Sequence, residues 1–288
     1  MEKMIYLNGS LVPRSEARIA VFDHGFLYGY GLFETMRAYD GEIFLLERHL
    51  DRLRKSAESV GIKLTGIDLA RACRDTVQAN KLRSARVRLT VSHGDSDAFP
   101  WQDTGDRPTV VITAREYHPY SPQVYRRGFK VGISSFRRSR YSTISGVKST
   151  NYLINVLARR EAVSQGLNEA ILLNEDGYIT EGSTSNVFFV KASGLVTPPL
   201  DSGILPGITR ALVMEMAGRL EISVREENIA PADLRHFSEA FLTSSMMEIM
   251  PLVAVKERDW KDITIGSGKP GTVTRRLMLN YPRPSHSA

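Results

Sequence analysis

Along the first third of the chain the apolar positions change period twice, and each change marks an element. Met4-Ile5-Tyr6-Leu7 and Ser10-Leu11-Val12 flank Asn8-Gly9, a pair suited to two successive residues of positive φ, and predict a hairpin. Phe22 to Tyr30, broken by Gly25 and Gly29, predicts a loop. Leu32 to Tyr39 alternates as a strand, Asp40-Gly41 turns it, and Glu42 to Leu45 returns. From there Leu46, Leu50, Leu53, Ala57 and Val60 recur in steps of four and three, which predicts a helix ended by Gly61. A second helix is expected from about Asp68 to Asn80, with Thr65 and Asp68 as a start resembling a capping box. Ala85 to Ser92 reads as a strand with Arg86, Arg88, Thr90 and Ser92 on one face. Two charges on one strand face mean either an open sheet surface or an anion site. Ser96 to Pro108 is a polar loop and Thr109 to Thr113 a buried strand.

Prolines at 119 and 122 make residues 118–122 the expected linker between an N-terminal domain, 1–117, and a C-terminal domain, 123–288. The second part opens on a strand, Phe129 to Ile133. A helix through Tyr152, Val156, Leu157 and Arg160 to Gly166 follows, capped by Ser149 or Thr150, with Lys148 just ahead of it. Glu169 to Leu173 and Tyr178 to Thr180 flank the turn Asp176-Gly177. The apolar run Val187 to Val190 precedes a helix from Ile208 to Leu220. Ala240 to Thr243 is a strand ending at Ser244-Ser245, and Met246, Met247 and Met250 read as core filler. A helix near Thr272 to Leu279 precedes a Pro/Ser tail expected to be disordered. Strands and helices thus interleave as in an α/β protein with mixed sheets.

Composition narrows the classes. The 288 residues are 42% hydrophobic and 24% charged, enough to build a sizeable core. The net charge of +6 comes from scattered basic residues without interleaved aromatics. That suits anionic small molecules better than nucleic acid. The single cysteine, Cys73, allows no intrachain disulfide, and no motif suggests a metal. No apolar run approaches a membrane span, and no signal peptide is apparent, so the expectation is a cytoplasmic protein.

The candidate chemistry centres on Gly146-Val147-Lys148-Ser149-Thr150-Asn151-Tyr152. A lysine at the junction of a turn and a helix projects into space where a cavity can form, and a desolvated amine becomes a nucleophile toward carbonyls. Downstream come Thr180-Glu181-Gly182-Ser183-Thr184-Ser185-Asn186 and then Leu205-Pro206-Gly207-Ile208-Thr209-Arg210. In that order and spacing the three segments resemble the class IV aminotransferases, the fold-type IV enzymes of pyridoxal 5'-phosphate (PLP). The resemblance spans nearly the whole chain, from Asn8-Gly9 to Val273-Thr274-Arg275-Arg276-Leu277.

The resemblance implies a two-domain fold with the cofactor at the domain interface, a homodimer, and a reaction moving an amino group from an amino donor to a 2-oxo acid. It implies that Lys148 holds the cofactor aldehyde as a Schiff base and moves the substrate proton. Glu181 would face the pyridine nitrogen and Tyr152 the ring O3′. The phosphate would be held by the N–H groups of Ile208 and Thr209 at a helix start, by Ser245, and by Arg52 of His49-Leu50-Asp51-Arg52-Leu53. Phe33, Arg88 and Met246 would touch substrate. Arg86-Val87-Arg88 aligns with the Tyr-x-Arg of branched-chain aminotransferases, with Arg86 in place of tyrosine. Thr35, where that group has glycine, and Ser244-Ser245-Met246-Met247 lean toward aminodeoxychorismate lyases. The Arg-x-His trap of D-amino-acid transaminases has no counterpart in Gly94-Asp95-Ser96-Asp97-Ala98-Phe99. The favoured expectation is branched-chain transamination, with the lyase and a D-amino-acid or R-selective amine transaminase as alternatives.

Overall fold

The computed structural model describes residues 2–102, 107–192, 194–257 and 262–284. It divides into two compact units. One comprises the chain up to His118 together with Val147–Asn151 and the end of the chain from Arg283; the other comprises Pro119–Gly146 and Tyr152–Pro282. The last residues of the Pro/Ser tail, 285–288, and residues 103–106 of the polar loop lie outside the described residues.

Unit one is a six-stranded antiparallel sheet with helices on one face. Its elements are β1 (Met4–Leu7), β2 (Ser10–Pro13), α1 (His24–Tyr28), β3 (Gly31–Tyr39), β4 (Glu42–Ile43), α2 (Leu46–Ser59), α3 (Leu69–Ala79), β5 (Ala85–Ser92) and β6 (Thr109–Glu116). The strand order is β2-β1-β6-β5-β3-β4. The hairpin forms as the Asn-Gly pair predicts, with φ of 46° at Asn8 and 102° at Gly9. Leu32, Met36 and Ala38 of β3 share a core with Leu46, Leu50 and Leu53 of α2 and with Leu69, Cys73 and Val77 of α3. Burial of these side chains, about 1.5–3 kcal/mol each, fixes which sheet face the helices cover.

Three expectations change here. Phe22 to Tyr30 holds a short helix, because the Asp23 carboxylate caps the Gly25 N–H at 2.8 Å and Gly29 closes the turn with φ of 67°. The strand after Gly41 is only two residues long, since Leu45 at φ of 54° turns the chain into α2. Asp68 alone caps α3, accepting from Arg71 N–H at 2.9 Å, without Thr65.

Unit two contains α4 (Pro122–Arg127), β7 (Phe129–Arg137), α5 (Leu153–Ser164), β8 (Glu169–Leu173), β9 (Ile179–Gly182), β10 (Asn186–Lys191), β11 (Gly194–Thr197), α6 (Ile208–Arg219), β12 (Val224–Glu226), β13 (Glu239–Ser244), β14 (Glu248–Lys256), β15 (Asp262–Thr264) and α7 (Thr272–Leu279). Eight strands run β12-β11-β10-β13-β14-β7-β8-β9, and β15 pairs with β14. In this mixed sheet β8 is buried throughout, and β10 reads as a continuous apolar run, as strands covered on both faces do. Met247 and Met250 lie in this core, as expected of filler. Strands β11, β12, β14 and β15 carry too little alternation of their own to stand out in the sequence; pairing with neighbours defines them.

The lysine segment departs most from expectation. The helix begins only at Leu153, and residues 148–150 run extended beside β3. The Phe33 N–H donates to the Lys148 carbonyl at 2.9 Å, and the Thr150 N–H to the Gly31 carbonyl at 2.8 Å. The Thr150 hydroxyl donates to the Gly29 carbonyl at 2.7 Å, so it ties down a loop instead of capping a helix. Lys148 and Tyr152 therefore do not share a helix face.

Candidate active site

In unit one the β3 edge positions the lysine. Lys148 is half-buried, and its Nζ lies 4.6 Å from the centre of the Phe33 ring. The Arg88 guanidinium stands 3.8 Å from the same centre, and its Nε donates to the Thr90 hydroxyl at 3.3 Å. Phe33, Arg88 and Lys148, which three separate sequence segments supply, thus meet at one aromatic ring. A cation over a ring face gains from the ring quadrupole, which holds both side chains in place.

On the opposite face of β3, Glu34 is fully buried. It accepts from Arg52 Nε at 2.8 Å, from Arg52 Nη2 at 2.6 Å and from His49 Nδ1 at 2.7 Å. Burial pushes its carboxyl pKa up, but the adjoining Arg52 charge and the hydrogen bonds from His49 and Arg52 outweigh it and bring the value down to about 2. His49 is held below its ordinary value, first by burial and then by the Arg52 and Lys148 charges, against the pull of Glu34. A neutral His49 still donates its Nδ1 proton to Glu34. Arg52 is thus oriented bidentately by Glu34.

Unit two carries a second buried carboxylate. Glu181, at the end of β9, is 5% exposed. Arg138 Nη1 approaches it at 3.0 Å, Asn186 Nδ2 donates to it at 3.1 Å, and the Leu205 N–H at 3.0 Å. Arg138 also donates to the Gly203 and Ser145 carbonyls, stitching two loops to the acid. The Tyr152 hydroxyl donates to the Ser183 carbonyl at 3.0 Å, joined there by Asn155 Nδ2 at 2.8 Å. Beneath this turn Glu169, fully buried beside Arg159 at 2.7 Å, accepts from the Ser183 and Thr184 hydroxyls.

Ile208 and Thr209 are the first residues of α6. Gly207 precedes them as N-cap and no side chain caps the helix, so its first N–H groups point outward. A Cβ at Gly207 would collide with Asn186 Oδ1, so glycine lets the backbone pass close. Ser245 and Met246 are half-buried in the turn between β13 and β14. Phe33, Arg52, Arg88 and Lys148 fall in unit one; Tyr152, Glu181, Ile208, Thr209, Ser245 and Met246 fall in unit two.

Sequence reasoning misses Arg138 and Asn186 as site residues, and Glu34 and His49 as the pair that holds Arg52 in place. Asn186 closes the Glu-Gly-Ser-Thr-Ser-Asn segment, and that position is the signal that could have found it. Arg138 stands out in the sequence only as half of a basic pair, since nothing local links it to Glu181.

Against known proteins, the family described as "Amino-transferase class IV" matches residues 31–255. A putative branched-chain-amino-acid aminotransferase of Methanocaldococcus jannaschii is 38% identical over 280 residues, 96% of this chain and 94% of that protein. An aminodeoxychorismate lyase of Bacillus subtilis is 35% identical, covering 97% and 94%. The crystal structure of the Escherichia coli branched-chain amino acid aminotransferase superposes with a TM-score of 0.90 at 32% identity, over 97% of this chain and 93% of that one. Fold and motifs together define a mixed α/β protein of fold type IV. The chain belongs to the class IV aminotransferases, enzymes that work with PLP. It is a PLP-dependent transaminase that moves an amino group between an amino acid and a 2-oxo acid.

The residues present fit that cofactor. In unit one a half-buried amine suits an aldehyde; in unit two a buried carboxylate paired with an arginine suits a ring nitrogen, and an uncapped helix start suits a phosphate. Among the described residues no helix is long and apolar enough to cross a membrane.

Proposed function

We propose that Lys148 is the residue that carries PLP and that branched-chain amino acids are its preferred donors. When bound, PLP supplies an electron sink for the charge left as a proton departs from substrate Cα. The observation that carries the assignment is the Phe33 ring, which collects Lys148 Nζ and the Arg88 guanidinium on one spot. Lys148 Nζ takes the Cα proton and returns it, Arg88 draws in the substrate carboxylate, and Phe33 excludes water from their neighbourhood. Glu181, paired with Arg138, faces the ring nitrogen as its partner, and the Tyr152 hydroxyl orients the ring oxygen. Ile208 and Thr209 offer N–H groups to the phosphate, with the Ser245 hydroxyl and the Glu34-oriented Arg52 as further donors. Met246 borders the substrate side chain. The archaeal branched-chain relative supports the donor class, since it matches over nearly the whole chain.

We further assign a homodimer working in the cytoplasm. Support for the dimer lies in the exposed apolar side chains Phe22, Phe26, Tyr28, Phe99 and Trp101 on and around α1, more than a monomer leaves open in one region. Domains of 1–117 and 123–288 remain the proposed division. A second reading, the aminodeoxychorismate lyase, draws support from the 35% identity of the Bacillus subtilis enzyme, close to that of the archaeal aminotransferase.

Mixing the holo-protein with L-leucine, D-alanine or an R-amine in turn, and following the cofactor absorbance, tests the reading. L-leucine is expected to bleach it. A response to D-alanine alone overturns the donor class, and release of pyruvate and p-aminobenzoate from aminodeoxychorismate selects the lyase.

A further inference from the structure

Ser183 sits in the turn after Glu181, and its carbonyl accepts two hydrogen bonds. The Tyr152 hydroxyl donates to it at 3.0 Å and Asn155 Nδ2 at 2.8 Å. Both donors stand at the start of α5, Tyr152 as its N-cap residue and Asn155 in its first turn. All three residues belong to unit two. Asn155 is 8% exposed and Ser183 is fully buried, so water does not readily replace either donor.

The carbonyl is held in place from the other side. The Ser183 N–H donates to the Ala170 carbonyl at 2.9 Å. The Ser183 hydroxyl donates to Glu169, and the neighbouring Thr184 hydroxyl donates to the same carboxylate at 2.9 Å. With the acceptor fixed, the two donors differ in what else they can serve. An amide NH₂ carries two protons, whereas a phenol carries one. The proton that Tyr152 gives to Ser183 is therefore withheld from any ligand. Tyr152 can turn it elsewhere only while the buried carbonyl keeps another donor, because an unpaired buried acceptor costs stability. Asn155 supplies that donor.

We propose that Asn155 is a positioning residue for the reaction: it keeps the Ser183 carbonyl satisfied and so frees the Tyr152 proton for the phenolate oxygen of the cofactor ring. The Tyr152 O–H bond stays intact throughout; only its acceptor changes. This role deepens the reading of Tyr152 as partner of the ring oxygen and rests on it.

The absorption band of the holoenzyme reads the bond. Excitation carries charge from the phenolate oxygen into the ring, so a donor on that oxygen stabilises the ground state, and its loss moves the band to longer wavelength. Tyr152→Phe is expected to give the full displacement. Asn155→Leu keeps the branching of asparagine but donates nothing. It is expected to move the band the same way, less far, and to lower turnover severalfold with the KM for leucine little changed. Asn155→Met, whose flexible chain packs where a branched one does not, is expected to do the same. Added to Tyr152→Phe, Asn155→Leu is expected to move the band no further, because the proton it governs is already gone. An equal displacement in both backgrounds overturns the role, since Asn155 would then act by a route that bypasses Tyr152. A band unmoved in both Asn155 variants while Tyr152→Phe moves it also overturns the role, whatever their melting temperatures, and leaves the Tyr152 reading standing. A band unmoved by Tyr152→Phe removes the Tyr152 reading and the Asn155 role together.

Discussion

Glu34 in unit one and Glu181 in unit two are each buried against an arginine, yet the two are surrounded differently. Glu34 receives both oxygens' partners from a single helix: Arg52 and His49 sit three residues apart on α2. Glu181 is met by one guanidinium, one side-chain amide and one backbone N–H, drawn from three separate segments. The first arrangement locks a strand to its covering helix. The second suspends an acid among loops, where its charge stays available to a ligand while the loops keep their shape. A buried ion pair alone is therefore weak evidence of catalysis; where its partners come from separates clamp from site.

Substitutions can break or sharpen that contrast. Lys148→Ala is expected to remove all turnover and the link that borohydride reduces; a reducible adduct persisting at another lysine would reject the assignment. Glu181→Gln should reduce turnover by about 10²-fold, as for loss of a catalytic acid–base group. Its melting temperature should fall less than that of Glu34→Gln, because Arg138 keeps the Gly203 and Ser145 carbonyls as acceptors and the glutamine carbonyl can still accept from Leu205 N–H. Steady-state kinetics beside a thermal melt reads both, and unchanged turnover removes Glu181 from the chemistry.

Glu34→Gln should act the other way, chiefly on stability. Removing the charge leaves Arg52 poorly compensated at 11% exposure, at a cost of about 3 kcal/mol. Urea denaturation measures it, and a wild-type midpoint would mean that Glu34 is no clamp.

Acid provides a further probe. Glu34 has a folded pKa of about 2 against an ordinary 4.5. Its contribution is full above 4.5 and is lost as the pH falls toward 2, a change of about 3 kcal/mol. His49, held neutral mainly by burial, adds a loss that begins below its ordinary value of 6.5, where the unfolded chain takes up the proton first. Stability measured from pH 7 downward should decline on this schedule, and Glu34→Gln should flatten the lower limb. The smallest effect is expected at Cys73. Burial pushes its thiol up to about 12, so a thiol reagent should modify it only after unfolding.

Much of this molecule is legible along the chain. The step pattern of α2, the Asn8-Gly9 hairpin, the start of α6 and the span of α7 depend on contacts a few residues apart, which the sequence displays directly. The spacing of the lysine, acid and helix-start segments is sufficient to place the chain in its family before any coordinate. Tertiary structure decided where those segments sit. Residues 148–150 have the composition of a helix start, but pairing with β3 satisfies their backbone groups in extended form and sets Lys148 against Phe33. Likewise, Arg138 lies beside Glu181, and Arg86 between Arg37 and Arg115, through loop packing and strand pairing. Such long-range pairings depend on which surfaces bury together, and no local pattern of residue types specifies that choice.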